Sequence, residues 1–232
     1  MEGKNMRVTT ILSLSFLLAL AGCQAEKTSQ DCCSSLAAKG DWTLPYGEWE
    51  FAFMTPNALP ATVTRVGIID TAGYLYDMRT LDGTHDDPDS VGTWSKLVRS
   101  GSVYFNKARQ PPQYMIFCWD SIIDKKSYET SLFFPEPVWR KMMTPAEYKS
   151  RSGKTVWYKT MLFGLAPEGK VRVWLQDVGD HPNYPVPVEK LKTVSGDRMT
   201  VCKGITQSDF SYGYDQDIKD FIKGKTYPYG AW

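Results

Sequence analysis

Alternating apolar and polar residues predict that β-strands make up most of this chain. Trp49, Phe51 and Phe53 alternate with polar or small residues over 48–53, the period of two expected of a half-buried strand. Five further segments rich in β-branched and aromatic residues are predicted strands: Val63–Ile69, Gln113–Trp119, Lys126–Phe134, Thr155–Leu165 and Lys170–Leu175. Pro167-Glu168-Gly169 lies between the last two and predicts a tight turn, so these two strands should form an antiparallel hairpin.

Helical spacing is limited to short segments. Three helices are predicted: Val138–Met143, Thr144 to about Ser152, and Asp215–Lys223. Thr144 and Glu147 form a capping box at the start of the second, and Gly224 is a natural stop for the third. Leu81–Gly92 and Val178–Pro187 are rich in Asp, Gly and Pro and are predicted loops. The expected fold is therefore α+β and β-dominated, an antiparallel sheet or a two-sheet sandwich with a few short helices.

The N-terminal pattern differs from the rest and predicts a lipoprotein signal. Lys4 and Arg7 precede an apolar run over Val8–Leu20, whose length fits a signal peptide and is too short to span a bilayer. Leu20-Ala21-Gly22-Cys23 then matches a lipobox, the site where the signal is cleaved and lipid is attached to Cys23. The alternative is a buried core helix followed by an ordinary thiol. No other segment is long and apolar enough to be expected to cross a membrane.

These patterns predict three parts: a signal peptide over residues 1–22, a lipidated tether over 23–40, and one globular domain over 41–232. The tether is predicted to be flexible because it is polar and rich in small residues. Gln24 follows Cys23, where Asp would favour retention in the inner membrane. We therefore expect an outer-membrane lipoprotein facing the periplasm, in preference to inner-membrane anchoring or surface exposure.

Charge and cysteine content narrow the possible partners. The formal net charge is +1, without a basic run, which argues against nucleic acid as a partner. An even number of cysteines beyond Cys23 favours disulfides in an oxidising compartment. A bridge between Cys118 and Cys202 is the first pairing expected, since both are predicted to lie in strands. Cys32 and Cys33 are free, bonded to each other, or intermolecular. We expect no metal site and no cofactor beyond the lipid on Cys23.

The motifs of common enzymes are missing from the sequence, so we expect a binding protein and not an enzyme. Neither G-x-S-x-G nor S-x-x-K occurs. His85 and His181 lie in predicted loops, where a solvated histidine is the usual case. The acidic stretch Asp82–Asp89 fails the EF-hand pattern, which leaves a solvated turn or a weak calcium site of another kind. Paired carboxylates for glycoside hydrolysis need only proximity in space, and no pair stands out.

Aromatic residues near the C-terminus are the remaining candidates for partner binding. Tyr212, Tyr214, Tyr227, Tyr229 and Trp232 lie among Gly, Ser, Asp and Lys. Tyr and Trp are enriched at recognition surfaces because they bury a large area and keep a polar tip. The alternative is a tail that packs back over the sheet.

Two stretches of the sequence resemble a known family. One runs from Pro111-Pro112 through Trp119-Asp120-Ser121, Lys125 and Tyr128 to Met142, and the other is Gly164–Trp174. Both are similar to recurrent stretches of the proteobacterial lipoprotein family DUF2931, whose function is unknown. Members are often encoded beside type VI secretion genes, including those of lipase effectors. The resemblance implies an immunity lipoprotein with lipid on Cys23 and without catalytic residues.

The expected function is therefore that of a membrane-anchored immunity protein. Its partners would be the membrane, through the lipid, and a toxic secreted effector, in particular a phospholipase. The first alternative is an envelope-maintenance lipoprotein that binds glycan, peptidoglycan or an assembly partner. The second is an enzyme of unrecognised type, which clustered Asp and Glu in a deep pocket would favour.

Overall fold

Two β-sheets packed face to face form the body of the protein. The structure is a computed structural model, and it describes residues 36–79, 82–100, 106–205, 210 and 215–232, except the side chains of 82 and 83. The strands are β1 (Trp49–Pro56), β2 (Ala61–Asp70), β3 (Leu75–Met78), β4 (Asp82–Gly83), β5 (His85–Asp87), β6 (Lys107–Ala108), β7 (Pro112–Ser121), β8 (Lys126–Phe133), β9 (Thr160–Ala166), β10 (Lys170–Leu175), β11 (Tyr184–Pro185) and β12 (Glu189–Ser195). The α-helices are α1 (Glu136–Met143) and α2 (Gln216–Ile222), and short 3-10 turns cover Pro167–Gly169 and Gly196–Arg198.

The first sheet is mixed and the second is antiparallel. The first has the order β11-β10-β9-β1-β5, with β6 also paired to β1, and β1 runs parallel to both β9 and β5. The second has the order β12-β8-β7-β2-β3, with β4 also paired to β2. The predicted β-dominated fold with a few short helices is therefore confirmed.

Aromatic side chains from both sheets meet in the core. Successive residues of a strand point to opposite faces, so Phe51 and Phe53 of β1 point to the same side. The ring of Phe53 lies 5.2 Å from that of Phe117 in β7, and the Phe117 ring lies 5.6 Å from that of Phe163 in β9. All four are at most 1% exposed. Burying each such side chain stabilises the fold by roughly 1.5–3 kcal/mol, so these contacts hold the sheets together.

Most of the regular elements agree with the sequence prediction. Five predicted strands are present within a few residues of their predicted bounds. Those over 48–53 and 170–175 lie in the first sheet, and those over 63–69, 113–119 and 126–134 lie in the second. The predicted hairpin is also present: Lys170 pairs with Ala166 across the Pro167–Gly169 turn. Helices α1 and α2 confirm the first and third predicted helices. These segments were predictable because their apolar residues follow a regular period or form short apolar runs.

The predicted helix from Thr144 to Ser152 is wrong. Instead, this segment folds back on residues 154–156 through an antiparallel bridge between Lys149 and Thr155. The N–H of Ala146 donates to the carbonyl of Val156 at 2.9 Å, so the backbone finds its partners outside a helix. The following strand is shorter than predicted, because β9 begins at Thr160 and not at Thr155.

Short edge strands were also missed by the prediction. The predicted loops 81–92 and 178–187 contain β4, β5 and β11, and β3, β6 and β12 were not predicted. Strand β12 was not predicted because its charged residues Glu189, Lys190 and Lys192 interrupt the pattern of β-branched and aromatic residues by which strands are recognised. Such charges are common on edge strands, where they prevent pairing with other chains.

Strand β2 defines the two ends of the sandwich. Its first residue, Ala61, pairs with Ser121 of β7, and its last, Asp70, pairs with Pro112. Nine residue steps at about 3.3 Å each place these ends roughly 30 Å apart.

The two termini of the described chain lie at opposite ends of β2. Near Asp70, the N–H of Ala38 donates to the carbonyl of Thr71 at 2.8 Å, and Nε2 of Gln113 donates to the carbonyl of Leu36 at 2.7 Å. We call this the N-terminal end. Near Ala61, helix α2 and the final residues pack on the β1–β2 and β7–β8 turns. We call this the C-terminal end.

Candidate functional site

A disulfide and a buried carboxylate fasten the segment after β12 to the second sheet. Cys118 of β7 is bonded to Cys202, the pairing that the sequence analysis placed first. Beside it, the carboxylate of Glu129 in β8 accepts hydrogen bonds from the N–H groups of Thr200 and Cys202, both at 2.9 Å. Burial raises the pKa of Glu129, and these hydrogen bonds outweigh that effect, so the pKa lies below its ordinary value. The segment is therefore fixed by a covalent bond and an ionised acceptor.

The C-terminal residues form a small apolar cluster at the C-terminal end. Ile218 of α2 is buried against Leu59 of the β1–β2 turn and Ile123 of the β7–β8 turn. Tyr229 and Trp232 are partly buried against the same cluster. The Trp232 ring also lies 5.5 Å from that of Trp94. These contacts fix the position of the last residues on the sandwich.

Asp124 connects three segments at this end. Its carboxylate accepts hydrogen bonds from the hydroxyl of Tyr128 at 2.9 Å, from the hydroxyl of Tyr227 at 2.7 Å and from the N–H of Glu168 at 2.8 Å. These groups belong to β8, the C-terminal segment and the β9–β10 turn. One acceptor therefore fixes the C-terminal segment relative to two turns.

Tyr227 is the most exposed aromatic residue of this arrangement, with 44% of its surface accessible. Its ring packs edge-on against that of Tyr229, with centroids 5.7 Å apart. Burial raises the pKa of the Tyr227 hydroxyl, and the hydrogen bond to Asp124 raises it further, so the group stays protonated at neutral pH. Tyr227, Tyr229, Asp124 and Glu168 therefore form an ordered surface, which we call the distal surface.

The structure separates the predicted partner-binding residues into two groups. Tyr227 and Tyr229 lie in the distal surface, and Trp232 packs below it against Trp94. This packing matches the alternative of a tail that folds back onto the body. Tyr212 and Tyr214 lie outside the described residues, as do Cys23, Cys32, Cys33 and nearly all of the predicted tether. Within the described ranges, no helix is long and apolar enough to cross a membrane.

Two residues of this surface were not predicted as site residues: Glu168 was predicted only as part of a turn, and Asp124 was not singled out. It lies between two predicted strands, where an aspartate is an ordinary turn residue. The spacing from Asp124 to Tyr128 across this turn is a sequence signal for one of its contacts. Its contacts to Glu168 and Tyr227 join residues 44 and 103 positions away, so no local pattern indicates them.

The polar groups around His181 have structural roles. The His181 ring stacks on that of Tyr148, with centroids 3.8 Å apart. The Tyr148 hydroxyl donates to the buried carboxylate of Asp177, which also accepts a 2.7 Å hydrogen bond from the N–H of Val178. Burial, followed by the hydrogen bond to Asp177, raises the pKa of Tyr148. These contacts fasten the segment after β10 to the 144–155 region.

Acidic residues next to His85 accept hydrogen bonds from turn residues at the C-terminal end. His85 is exposed in β5. The carboxylate of Asp86 accepts a hydrogen bond from the N–H of Ala58, and that of Asp87 accepts one from the Ser90 hydroxyl. Among the residues whose positions are described, no group of three or more His, Cys, Asp or Glu could hold a metal ion.

Comparison with known proteins identifies the family. No curated protein and no solved structure matches the chain. A family model does match it, over residues 24–230, and is described as protein of unknown function (DUF2931). This match includes both sheets and the distal surface, so the chain belongs to the DUF2931 family.

Proposed function

We propose that this protein is a lipid-anchored immunity protein of the cell envelope. Lipid on Cys23 would hold it in the outer membrane, facing the periplasm. There it would bind a toxic effector, a phospholipase delivered by type VI secretion, and cover its active site. The lipobox supports the anchor, and the family match begins at residue 24, directly after Cys23. The resemblance to immunity lipoproteins supports the class of partner.

The observation that carries this proposal is the separation of the two ends of the sandwich. The described chain begins beside Thr71, and Tyr227 lies at the opposite end of β2, about 30 Å away. Twelve residues separate Cys23 from Leu36. An anchor on Cys23 would join the body at the end opposite the distal surface and so would leave that surface free to bind a soluble partner in the periplasm.

The hydrogen bonds of Asp124 support a binding role for the distal surface. They order Tyr227 and the Glu168 turn before any partner arrives. A surface that is already ordered loses less conformational entropy on binding and therefore binds more tightly. Exposed tyrosine is also a frequent contributor of binding energy, because it combines a large apolar ring with a polar hydroxyl.

A protection assay in cells tests the proposal. A phospholipase effector encoded beside the gene is directed to the periplasm, and survival is measured with the wild-type protein, Cys23→Ala or Tyr227→Ala. We expect full protection by wild type and reduced protection by both variants. Val178→Ala is the control, because Val178 is an exposed residue in the segment after β10, outside the distal surface.

The outcomes separate the possible explanations. Protection by Val178→Ala but not by Tyr227→Ala supports the distal surface as the binding site. Death of cells that contain correctly localised wild-type protein, for every neighbouring effector, contradicts the immunity proposal. Capture of peptidoglycan or envelope proteins by the purified chain would instead favour the envelope-maintenance alternative.

A further inference from the structure

An apolar row crosses the outer face of the second sheet at the N-terminal end. Leu75 of β3 pairs with Ile69 of β2, Ile69 pairs with Tyr114 of β7, and Tyr114 pairs with Phe133 of β8. The neighbouring residues Ile68, Met115 and Leu132 are fully buried in the core. Because side chains alternate along a strand, the four residues of the row point outward. We call Leu75, Ile69, Tyr114 and Phe133 the apolar row.

The row is open to solvent at both of its edges. Leu75 is 71% exposed and Phe133 is 43% exposed, which is high for large apolar side chains. With strands about 4.8 Å apart, the row extends over roughly 14 Å. Leu75 also borders a surface depression of about 190 Å³. The exposed Tyr74 adjoins Leu75 in the β2–β3 turn, so the apolar surface continues beyond the sheet.

The chain leads from the predicted lipid site directly to this row. The carbonyl of Leu36 accepts a hydrogen bond from Gln113, the residue before Tyr114, and Leu36 is itself half exposed. Thirteen residue steps connect Cys23 to Leu36. A fully extended chain of that length spans at most about 45 Å, and a flexible one about 20 Å on average. Lipid on Cys23 would therefore keep the row near the bilayer.

We propose that the apolar row is a docking surface for the membrane itself. This inference rests on the lipid anchor of the proposed function. Leu75 and Phe133 enter the boundary between headgroups and acyl chains, and Tyr74 and Tyr114 lie at the headgroup level, where tyrosine is enriched. The Lys190 ammonium lies 5.3 Å from the Phe133 ring centroid and can reach lipid phosphates while its stem stays on the ring. Docking here fixes the orientation of the sandwich on the bilayer, with the outer face of the second sheet against the headgroups.

Photo-cross-linking to lipid tests this surface. The purified full-length product, lipidated in cells, is placed in vesicles of phosphatidylethanolamine and phosphatidylglycerol. A benzophenone amino acid replaces Leu75 in one variant and Phe133 in a second, so that one misfolded variant does not decide the result. Val91 is the matched control, because it is an exposed apolar residue next to Gly92, which contacts the C-terminal Ala231. An intact Cys118–Cys202 bond on non-reducing gels verifies folding.

We expect phospholipid adducts at positions 75 and 133 to exceed those at position 91 by at least about tenfold, since only the row lies in the interface. Equal yields at all three positions contradict the inference. Adducts to a second copy, to another protein or to another segment of this chain also contradict it. Mass spectrometry of Cys23 in the same sample separates the two proposals. Cys23 without lipid contradicts both, and lipidated Cys23 without the adducts contradicts the docking surface alone.

Discussion

Removing the Cys118–Cys202 disulfide should strongly destabilise the fold. The bond joins residues 84 positions apart in the sequence. Closing a loop of that length reduces the entropy of the unfolded chain enough to contribute about 4–5 kcal/mol to the free energy of unfolding. Both cysteines are 1% exposed, so replacing them with alanine leaves little new surface in contact with water. We therefore expect Cys118→Ala with Cys202→Ala to lower the free energy of unfolding by about 3–5 kcal/mol.

Thermal and urea unfolding of the mature chain measure this effect. For a domain of this size, 1 kcal/mol corresponds to about 2–4 °C in the midpoint, so the expected decrease is roughly 6–20 °C. Adding a thiol reductant provides the control, because it should bring the wild type to the level of the double variant and leave the variant unchanged. A double variant within about 1 kcal/mol of wild type would refute the reasoning, since it would mean that the bridge does not constrain the unfolded chain.

Three further changes have predicted outcomes. Glu129→Gln should lower the free energy of unfolding by about 2–3 kcal/mol in urea titrations, because charge-assisted hydrogen bonds are lost. Because the pKa of Glu129 is lowered in the folded protein, its stabilising effect should be complete at neutral pH. The effect should be lost as the pH falls from the ordinary glutamate pKa to the lower pKa of the folded state, and parallel titrations of Glu129→Gln should lack this loss. Gly164→Ala should cost about 1–3 kcal/mol by thermal unfolding, since its Cβ would lie 2.7 Å from Trp94 and 2.8 Å from Trp174. Tyr227→Phe removes a solvent-exposed hydrogen bond to Asp124. It should therefore lower the midpoint of thermal unfolding by fewer degrees than Glu129→Gln does.

The sequence was sufficient for the strands whose large apolar residues recur with a period of two. In β1, Phe51 and Phe53 alternate with smaller residues, and the same alternation places them in the core. Local pattern and tertiary environment agree there, so the prediction was correct. It failed at Thr144–Ser152, where a good local capping box competes with an antiparallel bridge to Thr155. Local propensity is weak, and a tertiary partner outweighed it.

The candidate site was less predictable than the fold. The aromatic residues at the C-terminus were evident from composition, but composition does not indicate which of them are exposed. Tyr227 is exposed, whereas Trp232 packs against Trp94. Asp124 was missed because its contacts to Glu168 and Tyr227 depend on turns that are distant in the sequence. The apolar row was missed for a similar reason, since it requires the order and register of four strands.

An equilibrium dissociation constant measures whether the distal surface binds a toxic effector. The mature chain is titrated by calorimetry with the phospholipase effector encoded beside its gene, using wild type, Tyr227→Ala and Tyr74→Ala. We expect tight stoichiometric binding by wild type and Tyr74→Ala. We expect Tyr227→Ala to weaken binding by at least about tenfold, as for a tyrosine at the centre of an interface. Equal affinity of Tyr227→Ala and wild type, or no binding by wild type, would contradict effector binding at the distal surface.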